Sequence, residues 1–200
     1  MPFTGHPVFY CPLLQESRVL AFLPSLVFFV MAPLSVSLAL WLGFAAAFAV
    51  GIHAFGTSRT IRVFDVAGLT LFGALAVYAG FVKPDFGPAE AGLVLEAGLL
   101  TTILWSMAIR QPFTVQYRWL KAPHEPSVIV RAHTLLTAFW ATCYAIMAAI
   151  NAISVVLHWL APGWAGVLAL VIFAAMLTFT WQFGVYIDKR GGNAALPGRR

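Results

Sequence analysis

The sequence predicts an all-α fold, a polytopic membrane bundle of five full spans preceded by a short proline-broken apolar segment. Three observations carry this. Five long apolar runs, 36–55, 63–82, 91–109, 133–157 and 164–187, take up most of the 200 residues. Each approaches the roughly 20 apolar residues that an α-helix needs to cross a hydrocarbon core about 30 Å thick. The composition agrees, with 61% hydrophobic and 10% charged residues and a mean hydropathy of +0.87, whereas soluble domains carry about a quarter charged residues.

Taken in order, residues 1–18 hold three prolines and a single Lys or Arg, Arg18, at their end. That pattern excludes a secretory signal peptide, whose positive charge comes first. Residues 19–33 (VLAFLPSLVFFVMAP) are strongly apolar but short, and Pro24 and Pro33 interrupt them. A span wants about 17–25 residues, so this segment is expected to be a short, tilted or re-entrant helix; if it crosses, the chain has six spans. Residues 34–187 then supply five transmembrane helices and 188–200 a tail, the whole forming one membrane domain.

Charge orients the spans. Arg59 and Arg62 follow the first run; Arg110, Arg118, Lys121 and Arg131 follow the third; Lys189, Arg190, Arg199 and Arg200 close the chain. The alternate links are poor in base, with Lys83 offset by Asp85 and Glu90 and no Lys or Arg in Leu160–Gly163. The positive-inside rule then places the base-rich links and the C-terminus in the cytoplasm. It also explains the net charge of +5 without a nucleic-acid partner.

The link QPFTVQYRWL sets Phe113, Tyr117 and Leu120 at helical spacing beside Arg118, Trp119 and Lys121. Mixed aromatic and basic residues suit a segment lying among anionic headgroups. Arg110, Arg118, Trp119 and Lys121 are therefore the candidate lipid-headgroup contacts, the alternative being a loop with ordinary interfacial anchors. Trp41, Trp105, Trp119, Trp159 and Trp164 lie near run ends, as interface tryptophans do.

Chemistry-bearing residues are few. There is no HExxH, no DxxD and no pair of carboxylates one turn apart, so no catalytic or metal set is expected. Cys11 and Cys143 have no ligand or disulfide spacing. The five histidines are scattered; His53 and His133, near the ends of two runs, are the one arrangement that a single haem could use, and the sequence implies no cofactor. Glu96 is the one acidic residue well inside a run. Intramembrane carboxylates are costly and functional by default, although this one sits within about two turns of a run end, where water reaches. Asn151 and Gln182 are deeper amides that suit bridges between helices. Glu96, Asn151 and Gln182 are the candidate functional polar residues. Gly43, Ala47 and Gly51 form a small-xxx-small ridge that lets a neighbouring helix, from this chain or a second copy, approach closely.

Several segments resemble the bacterial intracellular septation protein A family. FLPSLVFF at 22–29 looks like that family's Phe-Leu-Pro-x-x-Val-Phe-Phe opening, and IRQPFTVQY is similar to its basic-Lys-Pro-Leu-x-Gln stretch, with Pro112 at the matching position. Leu136, Trp140, Ala141, Ile150 and Asn151 fall in the register of its next helix, where Thr137 replaces an Asn. The family's Lys-Pro is not kept at its matching position, where Glu90 and Ala91 stand, and its Phe-Lys-Leu-Phe-Gly is replaced by VLALVIF. The resemblance spans about residues 20–190 and implies a non-enzymatic inner-membrane protein of envelope upkeep and division, acting through contacts with membrane lipids and other envelope or division proteins. The competing expectation from the residues themselves is a small transporter or lipid-handling protein with a polar path near Glu96, Asn151 and Gln182.

Overall fold

The computed structural model describes residues 22–58, 62–117 and 126–194. Among these, every regular element is helical. In chain order they are α1 (Leu23–Met31), α2 (Val36–Ser58), α3 (Val63–Val77, continued by a π-helical turn Tyr78–Val82), α4 (Pro88–Ala108), a 3-10 turn (Phe113–Tyr117), α5 (Pro126–Ala152, continued by a π-helical turn Ile153–Leu157) and α6 (Pro162–Ala194).

Five of these helices, α2 to α6, are long and apolar enough to cross a membrane, so the chain is a multi-pass membrane protein. Their cores match the five apolar runs. Helix α4 begins three residues before its run, because Pro88 fits a first helical turn and Glu90 accepts from the Gly87 N–H at 3.1 Å. Helix α6 continues past Ile187 to Ala194, so the expected tail begins as helix. The two ends of the bundle differ: one carries Arg62, Arg110 and Arg131, the other Lys83, Glu90 and His158.

The short helix α1 has nine residues, roughly 14 Å of rise, too little to cross alone. It fills a slot instead. Pro24 opens it, and Pro24, Ser25, Phe28 and Phe29 are buried against α2 and α6. Phe22 stacks on Trp140 at 4.4 Å and approaches Phe64, at the base-rich start of α3, at 6.4 Å. Phe28 meets Phe72 at 6.1 Å and Phe29 meets Phe173 at 5.4 Å. The segment thus begins near the base-rich level and runs toward the other end, closing a ring of helices from α1 through α6.

Glycines set the closeness of the packing. A Cβ on Gly43 would lie 2.7 Å from the Phe72 ring, and one on Gly73 would lie 3.0 Å from Phe44. Helices α2 and α3 therefore exchange phenylalanine knobs for glycine seats. The neighbour of the small-residue ridge is helix α3 of the same chain at Gly43. Ala47 is buried at 5% exposure, and Gly51 has nothing within 4 Å. Of the three positions proposed for a second copy, Gly51 alone faces open space.

Candidate functional site

Glu96 lies eight residues into α4 from Pro88, about 12 Å from that end of the helix. Its side chain is completely enclosed, at 0% exposure. That depth, about two turns from the helix end, is as expected, and so is a hydrogen-bonding role; access to water is not, because the carboxylate is covered where the sequence suggested solvent. The covering group is Asn151, 55 residues away, whose Nδ2 donates to Glu96 Oε2 at 2.8 Å. The second expected amide bridge does not form, because Gln182 is exposed on α6.

Gly92 makes the pairing possible. It sits one turn before Glu96, and a Cβ there would stand 2.9 Å from Asn151 Nδ2. The amide occupies the volume that any larger residue would take. Around this pair lie further polar groups. The Tyr144 hydroxyl, from α5, is within electrostatic reach of Glu96 and close to Ser25 of α1, without meeting it in hydrogen-bond geometry. Ser25 is 6% exposed and Tyr144 1%. Glu96 Oε1 also has no hydrogen-bond partner among the described residues. One turn beyond Asn151, the Ser154 hydroxyl donates to the Leu160 carbonyl at 2.9 Å, which ties the π-helical end of α5 to the following link.

On the base-rich side of Glu96 is a cavity of about 20 Å³, lined by Ser25, Asp65, Gly68, Phe72 and Leu99 among others. That is room for one water, given two to four polar partners. Ser25 lines this cavity and also borders Tyr144. A file of polar side chains thus runs through the interior: Asp65, Ser25, Tyr144, Glu96, Asn151, Ser154.

The link after α4 is arranged differently from its sequence reading. Arg110 takes a left-handed conformation (φ 56°), and Gln111 N–H donates to the Ser106 carbonyl at 2.9 Å, which turns the chain back under the bundle. Phe113 and Thr114 are both at 0% exposure. Phe113 stacks on Phe64 at 4.9 Å and meets Trp140 edge-on at 6.0 Å. Thr114 Oγ1 donates to the His133 carbonyl at 3.1 Å and lies 2.9 Å from Thr137 Oγ1 and 3.1 Å from His133 Nδ1. Val63 N–H donates to Gln116 Oε1 at 3.0 Å. This stretch plugs the base-rich end. Phe113 was read only as part of an amphipathic spacing; it turns inward to pack on Phe64 and Trp140. Arg110 is exposed at that end, as a headgroup contact requires, while Arg118, Trp119 and Lys121 lie outside the described residues.

His133 is enclosed by the plug and His53 is exposed, so the two are placed in unlike surroundings. Trp41, Trp105, Trp159 and Trp164 are all exposed on the outside near helix ends. Between α3 and α4 the outer face carries a groove of about 460 Å³ lined by Val63, Val66, Ala67, Thr101, Thr102 and Trp105. At the far end, Lys83 Nζ bonds both carboxylate oxygens of Glu90 at 2.9 Å. That bond holds the Lys83 ammonium above its usual range, against a partial desolvation that pulls the other way.

Sequence reasoning named Glu96 and Asn151 together on one polar path and missed the roles of Gly92, Tyr144 and Ser25. One signal for the pairing was present: α4 and α5 are joined at the base-rich end, so Glu96 and Asn151 lie at similar depths from the other end. Against known proteins, the chain matches no family model, no curated protein and no solved structure.

Proposed function

We propose that this multi-pass membrane protein is non-enzymatic and supports cell-envelope maintenance or septation through contacts with lipids and other membrane proteins. The observation that carries this reading is the engagement of its interior: Asn151 is spent on Glu96 Oε2, and both residues are enclosed within a packed bundle. The cavity beside them holds no more than a water. An enzyme or a solute carrier needs room for a substrate at its reactive groups. The envelope role itself rests on the resemblance of FLPSLVFF, IRQPFTVQY and the Trp140–Asn151 register to the septation protein A family. The charge asymmetry of the links supports a cytoplasmic C-terminus, and the bacterial inner-membrane location rests on the same resemblance.

The test is purification of the full chain in mild detergent after in-cell crosslinking. Division or wall-synthesis proteins should co-purify, and recovery with lipid alone would count against the reading. A reporter at the C-terminus should signal from the cytoplasm.

A second reading, a small transporter or lipid-handling protein, is favoured by Glu96 Oε1, which has no partner in its enclosed site. It loses Gln182 and keeps Glu96 and Asn151. The outer groove at Trp105 offers the lipid-handling variant a place for an acyl chain. Vesicles containing the purified chain separate the readings: accelerated solute flux or lipid exchange, abolished by Glu96→Gln, would replace the contact reading.

A further inference from the structure

We infer that Glu96 is a buried binding site for one monovalent cation, H⁺ or Na⁺, reached from the base-rich end through the polar file of Asp65, Ser25 and Tyr144.

The argument begins with charge balance. A bare carboxylate enclosed at 0% exposure within apolar helices is too costly to persist uncompensated. Asn151 supplies one amide N–H at 2.8 Å, which is a dipole and not a counter-charge. Among the described residues, no cation within the spans is placed to serve. Between Pro162 and Ile187, α6 contains no Asp, Glu, Lys, Arg or His. Helix α2 contributes His53, α3 Asp65, and α5 Arg131 and His133, all toward the base-rich end. Helix α1 offers Ser25. Tyr144 lies within electrostatic reach of Glu96, and Cys143 within reach of Tyr144; neither brings positive charge. At the other end Lys83 is committed to Glu90 and His158 is exposed.

The missing positive charge therefore comes from outside. Oε1 is the atom to receive it, since Oε2 is taken by Asn151 and Oε1 has no hydrogen-bond partner among the described residues. The Tyr144 hydroxyl, also without a hydrogen-bond partner among the described residues, lies within electrostatic reach of Glu96. Access follows the cavity: Leu99 lines it one turn from Glu96, Asp65 lines it three residues into α3, and Ser25 lines it beside Tyr144. Binding adds one H⁺ or one Na⁺ to the carboxylate and breaks no covalent bond. Release returns the same ion to water. The site is independent of whether the protein acts through contacts.

Infrared spectroscopy and thermal unfolding of the purified full chain test this together. With side-chain-carboxyl ¹³C-glutamate incorporated, the H⁺ form predicts an isotope-shifted carboxylic-acid C=O band at pH 7 in Na⁺-free buffer, absent from Glu96→Gln. The Na⁺ form predicts no acid band and a melting temperature that rises with NaCl over choline chloride at equal ionic strength, a rise that Glu96→Gln abolishes. Glu96→Gln keeps a hydrogen-bonding group toward Asn151 and so should fold. Should it not, the labelled wild-type chain alone decides the H⁺ arm, and Tyr144→Phe, expected to weaken the Na⁺ response several-fold, decides the other. A glutamate spectrum that is wholly ionised at pH 7, combined with no specific Na⁺ response, overturns the inference.

Discussion

Asn151 reaches across from α5 and donates its amide N–H to Glu96 on α4 at 2.8 Å, in a volume kept open by Gly92. The two residues are 55 positions apart, and both are buried. A three-residue lock of this kind, one small, one amide and one carboxylate, holds together the most extensive helix pair of the bundle.

That lock predicts non-additive mutations. Gly92→Ala puts a methyl 2.9 Å from Asn151 Nδ2 and should cost about 1–3 kcal/mol, as overpacking does. Asn151→Ala leaves Glu96 without its donor and should cost a similar amount. In the Asn151→Ala background the Gly92→Ala penalty should largely vanish, because the colliding amide is gone. Unfolding of the four proteins in detergent gives the coupling, expected at about 0.5–3 kcal/mol; fully additive losses would mean that the pair is not in contact.

The two ends of the small-residue ridge should respond in opposite ways. Gly43→Ala drives a methyl into the Phe72 ring, itself 1% exposed and unable to retreat, and should destabilise by about 1–3 kcal/mol. Gly51→Ala meets nothing within 4 Å and should stay within about 0.5 kcal/mol of wild type. If Gly51 serves a second copy of the chain, Gly51→Leu will shift the mass seen by light scattering in detergent while leaving the melting temperature of the monomer unchanged.

The plug at the base-rich end gives a third expectation. Thr114→Val removes the hydroxyl that meets His133 and Thr137 and should cost about 1–3 kcal/mol. Phe113→Ala empties a site enclosed by Phe64 and Trp140 and should cost about 3–5 kcal/mol. In both variants amide exchange should speed up at residues 113–117 before it does in the middle of α4. Protection that stays equal in the two regions would show that the stretch is not docked.

A fourth prediction concerns pH. The Lys83 ammonium is held above its ordinary value of 10.5 by its bond to Glu90. Its contribution to stability is therefore full below pH 10.5 and fades as pH rises through the higher folded value. Both groups are about one-third exposed, so water screens the pair and the effect is small. Lys83→Met should lower the melting temperature slightly at pH 8 and leave it equal to wild type at the alkaline end of the titration.

How much was legible in the sequence follows from which forces act locally. The runs at 36–55, 63–82, 91–109, 133–157 and 164–187 each became one helix, because hydrocarbon forces every backbone group to bond within its own segment. Pro24 and Pro33 marked α1 as short and interrupted. The inward turn of Phe113 was not legible, since an amphipathic spacing cannot reveal whether the apolar side meets lipid or a gap between helices. Gln182 looked as deep as Asn151 by position along its run; which way each faced was a property of neighbours that the run does not contain.

The sequence by itself determined the solvent, the number of long crossings and the charge difference between the two ends, since these depend on length, hydropathy and local charge. Tertiary structure alone decided that Glu96 meets Asn151, that Gly92 leaves space for their contact, and that α1 and the Phe113 plug close the bundle. Those contacts join residues far apart in the chain, and only the packing of the helices fixes their relative rotation and depth.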